Sequence, residues 1–282
     1  MRVVLPHGLF KGGSRHCEAD LRPIRGRDEV LIAEVGGDLP SAARTTLLLS
    51  RCVIGIGGLA TVDEDLIGSL TVGDREALLL QVRRMSIGDR MSCVLACPRC
   101  GERLDVDLFA SELLAEPYKD VRERYAFRPQ DGSGVLTFRL PTGADQAAVA
   151  AVALDDPGAA FTLMLERCLS APDDRAETSG AGSVVGAASA RELELRMREL
   201  DPQAETRLDM RCPACGEPWD VVFDTADYVF RELAVEAAEL EQQVHVLALH
   251  YHWSEREILG LTHRKRRRYL ELVAESVGGG RA

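Results

Sequence analysis

Two short signatures in this chain have the residue types and spacing to hold a metal ion. They are Cys97-Pro98-Arg99-Cys100-Gly101 and Cys212-Pro213-Ala214-Cys215-Gly216. Each puts two sulfurs on a tight C-P-x-C-G turn, with glycine where the backbone must swing back. Together they supply four thiolates, the complement of a closed tetrahedral zinc site. Such a site has no open coordination position, so its ion staples a fold and does not activate water. Two other chemistries use similar spacing. Thiol-redox enzymes place C-P-x-C at the start of a helix, which lowers the thiol pKa. Here glycine and a strand-like run follow each motif, which does not suit that role. A disulfide pair is the plainer alternative. Cys100 and Cys212 lie on either side of residues 101–211, and one ribbon with a long insertion explains the matched motifs most simply.

The elements that must position these sulfurs can be read from their flanks. Arg103-Leu104-Asp105-Val106-Asp107-Leu108 alternates with period two after the first knuckle, as a β-hairpin does. Arg207–Met210 and Trp219–Phe223 repeat the arrangement around the second. Before the first knuckle, residues 1–35 are mixed and predict irregular structure up to Asp28–Ile32. A helix is expected from about Pro40 to Gly55. Another opens at Thr71-Val72-Gly73-Asp74 with a capping-box spacing and runs through Leu78, Val82 and Met85 to Gly88. Between the knuckles, Tyr125–Phe127 and Val135–Leu140 predict a hairpin with Leu136, Phe138 and Leu140 on one face. Thr142–Asp145 caps an alanine-rich helix, with further helices expected at Ala159–Leu169 and Arg191–Leu200. Residues 171–190, rich in Ala, Gly, Ser and Asp, predict a flexible loop.

After the second knuckle, Ala226, Phe230, Leu233, Ala237, Leu240, Val244, Leu247 and Tyr251 alternate four and three apart. This heptad-type stripe suits docking against one or two partner helices, or equally against helices of this same chain. Trp253-Ser254-Glu255-Arg256-Glu257 carries a second capping box. A last helix is expected over Thr262–Val277, with Arg264-Lys265-Arg266-Arg267-Arg268 near its start. Five consecutive cations can meet nucleic acid or an acidic protein. The protein-contact reading is favoured, because phosphate binding needs a wider basic field.

Composition narrows the function classes. A net charge of -11 and an aromatic content of 5% argue against general nucleic-acid binding. Eight cysteines, half of them in metal-type pairs, fit a reducing compartment better than a secreted disulfide scaffold. The segment Met1–Pro6 lacks the apolar run of a signal peptide, and no stretch approaches a membrane helix, so a cytoplasmic location is expected. His245, His250 and His252 have no H-E-x-x-H spacing and are assigned packing roles. Cys52 and Cys168 are expected to be buried small hydrophobes, and Cys93 stands near Cys97 as a spare thiol. No phosphate loop, dinucleotide fingerprint or nucleophile elbow is present, so a non-enzyme is expected.

Several stretches taken together resemble a known family. Leu70-Thr71-Val72-Gly73-Asp74-Arg75 through Leu80, then Gly88-Asp89 and the first knuckle, are similar to the baseplate-protein family of contractile-tailed phages. Arg139-Leu140-Pro141-Thr142-Gly143 with Asp145, the block from Leu247 through Leu259, and Arg267-Arg268-Tyr269-Leu270 resemble companions of that family from phage-like tails and extracellular contractile injection systems. The likeness extends from about residue 40 to 273. It implies a component or assembly factor of a baseplate or hub, with other baseplate, hub or spike proteins as partners and Cys97, Cys100, Cys212 and Cys215 as zinc ligands.

The expectation is therefore an α+β protein. Residues 1–90 form a helical N-terminal region, and 91–224 a zinc ribbon carrying a β-hairpin and helical insertion. Residues 225–277 form a C-terminal helical arm, and 278–282 a disordered tail. One structural zinc ion is the expected cofactor. Partner contacts are expected at Phe230, Leu233, Leu240, Val244, Leu247, Tyr251, Arg264, Arg266, Arg267 and Arg268, with helix-mediated oligomerisation as a further use of the stripe. The alternative function is a zinc-ribbon nucleic-acid-binding regulator using Arg264–Arg268, and a thiol-redox protein is a third.

Overall fold

The structure, a computed structural model, describes residues 1–59, 61–132, 134–170 and 186–278. In chain order its strands are β1 (Arg2–Lys11), β2 (Ser14–Leu21), β3 (Val53–Ile56), β4 (Arg90–Ala96), β5 (Arg103–Phe109), β6 (Tyr125–Phe127), β7 (Leu136–Phe138), β8 (Leu169–Ser170), β9 (Arg207–Arg211) and β10 (Pro218–Val222). Its helices are α1 (Gly26–Val35), α2 (Ser41–Cys52), α3 (Glu64–Gly68), α4 (Val72–Ser86), α5 (Gly143–Asp155), α6 (Pro157–Cys168), α7 (Ala187–Leu200), α8 (Thr225–Tyr251), α9 (Glu255–Leu259) and α10 (His263–Gly278). Among the described residues the fold is mixed, with four small antiparallel sheets.

The N-terminus corrects the expectation of an irregular start to a helical region. β1, β2 and β3 form a three-stranded sheet in that order. Its signal is hidden because the β1–β2 register shifts between Val4 and Leu9, so the alternation breaks where Pro6 and Gly8 interrupt it. The sheet closes over the main core with α1–α4 and the start of α8. α4 lies at its centre, with Leu78, Leu79, Leu80 and Val82 fully buried. A second, smaller core gathers Phe138, Leu140, Leu165, Cys168 and Leu193 from the hairpin and helices inserted between the knuckles. Phe138 and Leu140 thus point inward as their spacing predicts. Of the expected loop 171–190, residues 171–185 lie outside the described residues and 187–190 are the first turn of α7. The expected tail lies outside them beyond Gly278, which ends α10.

The Thr71–Arg75 motif works as a buried latch. Thr71 caps α4 by accepting from the Asp74 N–H at 3.2 Å. Asp74 accepts the backbone N–H groups of His7 and Gly8, each at 2.8 Å, which ties β1 to α4. Gly73 is required because the Asp201 carboxylate lies against its Cα and accepts its N–H at 3.0 Å. A Cβ there would meet Asp201 Oδ1 at 1.9 Å. The fully buried Arg75 donates to Ala42 O at 2.7 Å, Thr46 Oγ1 at 3.0 Å and Ile67 O at 3.1 Å. Gly143 leaves space for that guanidinium, which a Cβ would meet at 2.4 Å. These polar side chains are tolerated in the interior because each is hydrogen-bonded.

α8 packs against α1, α4, α9 and α10, and these helices cover part of its stripe. Phe230 and Leu233 belong to the main core, and Leu240 and Leu247 are buried as well. Phe230, Leu233 and Leu247 are thus covered by the chain's own elements, while Leu240, though almost fully buried, lines the surface groove between α1, α8 and α9. Val244 and Tyr251 are half-buried. Among the described residues no helix is long and apolar enough to cross a membrane.

Candidate metal centre

Each cysteine pair occupies the turn of its own hairpin, and the two turns repeat each other bond for bond. Cys97 N–H donates to Glu102 O at 2.8 Å and Gly101 N–H to Cys97 O at 2.9 Å. In the second turn Cys212 N–H donates to Glu217 O and Gly216 N–H to Cys212 O, both at 2.9 Å. Gly101 and Gly216 both have φ +74°, the left-handed region that glycine enters without cost. Below the turns, β4 and β5 pair in unbroken register from Arg90↔Phe109 to Ala96↔Arg103. β9 and β10 pair from Arg207↔Val222 to Arg211↔Pro218. Both hairpins carry one exposed face and one half-buried face, the latter holding Leu95, Leu104, Met210 and Trp219. The first hairpin is anchored where Met91 and Ala110 pack on Leu80 of α4. Tyr228 of α8 donates to Ser92 O at 3.2 Å.

The four sulfurs of Cys97, Cys100, Cys212 and Cys215 lie within 4.8 Å of one another. Across the two turns, Cys97 lies 3.7 Å from Cys215 and Cys100 lies 3.6 Å from Cys212. A disulfide requires about 2.05 Å, and all four are free thiols. A tetrahedron of sulfurs around an ion with metal–sulfur bonds near 2.3 Å has edges of about 3.8 Å. The spacing therefore fits metal coordination and excludes the disulfide reading.

Electrostatics point the same way. Burial works against ionisation of Cys97, but the backbone N–H groups of Cys100 and Arg99 favour its thiolate and bring it down to about 7. The N–H of Glu102 favours the thiolate of Cys100, yet the Cys215 sulfur and its other neighbours push that thiol up to about 12. Crowding of the sulfurs thus favours the neutral thiol at Cys100, and a cation among the four would be needed for all of them to ionise together. Across the two turns Arg99 pairs with Glu217 at 2.8 Å, an exposed contact that contributes little by itself.

The remaining expected site residues do not join this cluster. Arg264, Arg267 and Arg268 are exposed, and Arg268 pairs with Glu271 at 3.2 Å and Glu275 at 3.7 Å. Arg266 corrects its assignment to a partner surface. It is fully buried, ion-paired with Glu29, and donates to Gln243 Oε1 at 3.0 Å and Leu261 O at 3.1 Å. Tyr251 stacks on Trp253 with ring centres 4.8 Å apart. His250 Nδ1 lies 2.9 Å from Val246 O, and His252 ends α8 in the left-handed region. Cys52 and Cys168 are buried, as expected, and burial pushes both thiols up to about 12.

The sequence reading did not anticipate the buried acids Asp74 and Asp201, although the Thr71–Asp74 capping-box spacing marked the first. Tyr118 donates to Asp201 Oδ1 at 2.8 Å. Burial raises Asp74 to about 7 and Asp201 to about 6.

No curated protein and no solved structure matches the chain. Residues 47–177 match the family model described as T4 bacteriophage base plate protein. That stretch runs from α2 through the Thr71–Arg75 latch and the first cysteine turn into the inserted helices, and the second turn lies beyond it. Over those residues, it is the T4 bacteriophage base plate protein family that this chain resembles.

Proposed function

We propose that this protein is a structural or assembly component of a contractile, phage-like tail baseplate or hub. It acts through protein contacts, with one zinc ion stapling the two hairpins. The observation that carries this reading is the baseplate match over residues 47–177. The most distinctive residues of that stretch do structural work, as Gly73, Asp74, Arg75 and Gly143 show. Zinc is the ion favoured by four thiolates in a compact cluster. A closed site of that kind supports a non-enzymatic role.

Other baseplate, hub or spike proteins are the proposed partners. The test is co-expression with the tail components encoded beside this chain, followed by affinity purification. Co-purification of at least one at defined stoichiometry supports the reading, and failure with every one overturns it. The nucleic-acid alternative is less favoured, because Arg266 faces inward and Arg268 pairs with glutamates, which breaks the run of five cations.

A further inference from the structure

Where α1, α8 and α9 meet, a groove of about 500 Å³ opens on the surface, a size within the range of recognition clefts. Val30, Leu240, Val244 and Leu259 form its apolar lining, with Ala33 and Ala237 leaving room above. Glu34, Glu241 and Glu255 also line it, all three exposed, and no Lys or Arg does. Along α8 the groove runs from Ala237 to His245, a little over two turns of helix.

We propose that this groove receives an amphipathic helix of a partner protein, with apolar anchors at i, i+3 or i+4, and i+7 flanked by lysine or arginine. The length and apolar floor match helix-in-groove recognition. The carboxylates supply charge complementarity, which steers such a helix and rejects acidic ones. A second copy of this chain is a poor occupant. Its net charge of -11 repels a like copy. The outward face of α10 is also mixed in charge, with Arg268 held by Glu271 and Glu275. An anionic membrane surface is disfavoured by the same three carboxylates.

This deepens the protein-contact role proposed above, but its test needs no tail protein, so either reading can fail alone. The full-length protein is titrated against a labelled amphipathic Leu/Lys peptide of about 18 residues, read by fluorescence anisotropy. Two controls accompany it, a scramble of equal composition and a peptide with Glu in place of Lys. The triple variant Glu34→Lys, Glu241→Lys, Glu255→Lys reverses the rim, and Ala33→Trp fills the groove. All four positions are exposed, and circular dichroism checks that the fold is retained. The expected result is about tenfold or greater weakening by each variant, with the scramble and the Glu peptide binding poorly to the native protein. Equal binding of the scramble, or unchanged binding by the variants, overturns the proposal. So does a concentration-dependent dimer of the native protein that the variants abolish, because that would make a second copy the occupant.

Discussion

Replacing Arg266 with methionine isolates the one member of the basic run that is part of the fold. Its side chain is 0% exposed and that of its partner Glu29 is 1% exposed. Methionine keeps the stem but removes the guanidinium. Glu29 is then left buried without its guanidinium partner, Gln243 Oε1 loses the Arg266 donor, and Leu261 O keeps only the Gly26 N–H. Breaking a buried pair from one side costs about 3–5 kcal/mol. At roughly 2–4 °C per kcal/mol for a chain of this class, the melting temperature should fall by about 6–20 °C. The reference is Arg264→Met, an exposed neighbour expected to stay within about 0.5 kcal/mol of the parent. The double variant Glu29→Met, Arg266→Met removes both charges and should recover much of the loss, giving a clear coupling energy. Burial raises the Glu29 pKa while Arg266 and His263 oppose it. The single-variant penalty should therefore be smaller near pH 4 than at pH 7, because a neutral Glu29 then costs little. Urea denaturation of the parent, the three single variants Arg266→Met, Arg264→Met and Glu29→Met, and the double variant at both pH values provides the data. An Arg266→Met cost no larger than that of Arg264→Met, or a double variant no better than the sum of its parts, would refute the reasoning.

Three further outcomes are expected. Native mass spectrometry should find one zinc per chain, lost together with thermal stability when Cys212 and Cys215 become serine; a metal-free parent of unchanged mass would remove the staple. Gly73→Ala should cost about 1–3 kcal/mol through its clash with Asp201, whereas Gly37→Ala, with nothing within 4 Å of the new Cβ, should be nearly silent in the same melts. Burial holds Asp74 at about 7 and Asp201 at about 6, against roughly 4 in the unfolded chain. Their contribution is complete below about pH 4 and is lost as pH rises through 6 and 7. Asp145 has the opposite sign. Burial opposes its ionisation, but Arg139 and Thr142 overcome that and hold it at about 2, so its share is lost as pH falls from about 4 to 2. Urea midpoints measured from pH 3 to 8 should show Asp201→Asn flattening the upper limb only; an unchanged slope there would count against the buried-acid account.

What the sequence disclosed was mostly local. C-P-x-C-G is a self-contained turn, and each alternating flank forms the hairpin it predicts. The Thr142–Asp145 and Ser254–Glu257 boxes close as their spacing demands. What stayed hidden depends on distant pairings. Arg266 looks like its exposed neighbours until Glu29, far away in the chain, comes into contact with it. The α8 stripe defines a packing surface, but a heptad spacing does not say whose helices cover it. Val30 and Leu259 form one groove with Val244 only after α1, α8 and α9 have met. The N-terminal sheet was obscured by a bulge, which shifts the very period that reveals a strand.

The distance between the two cysteine turns also has a consequence in time. Residues 101–211 leave the ribosome between them, which takes on the order of ten seconds at usual rates of synthesis. During that interval the first turn offers only two thiols, half of a closed set. Joining the halves ties off a loop of roughly a hundred residues, a constraint worth on the order of 4–5 kcal/mol in a chain-entropy treatment of cross-links. Capture of the proposed zinc would thus be a late event in the life of the nascent chain, and a filled site would mark molecules whose two hairpins have already met.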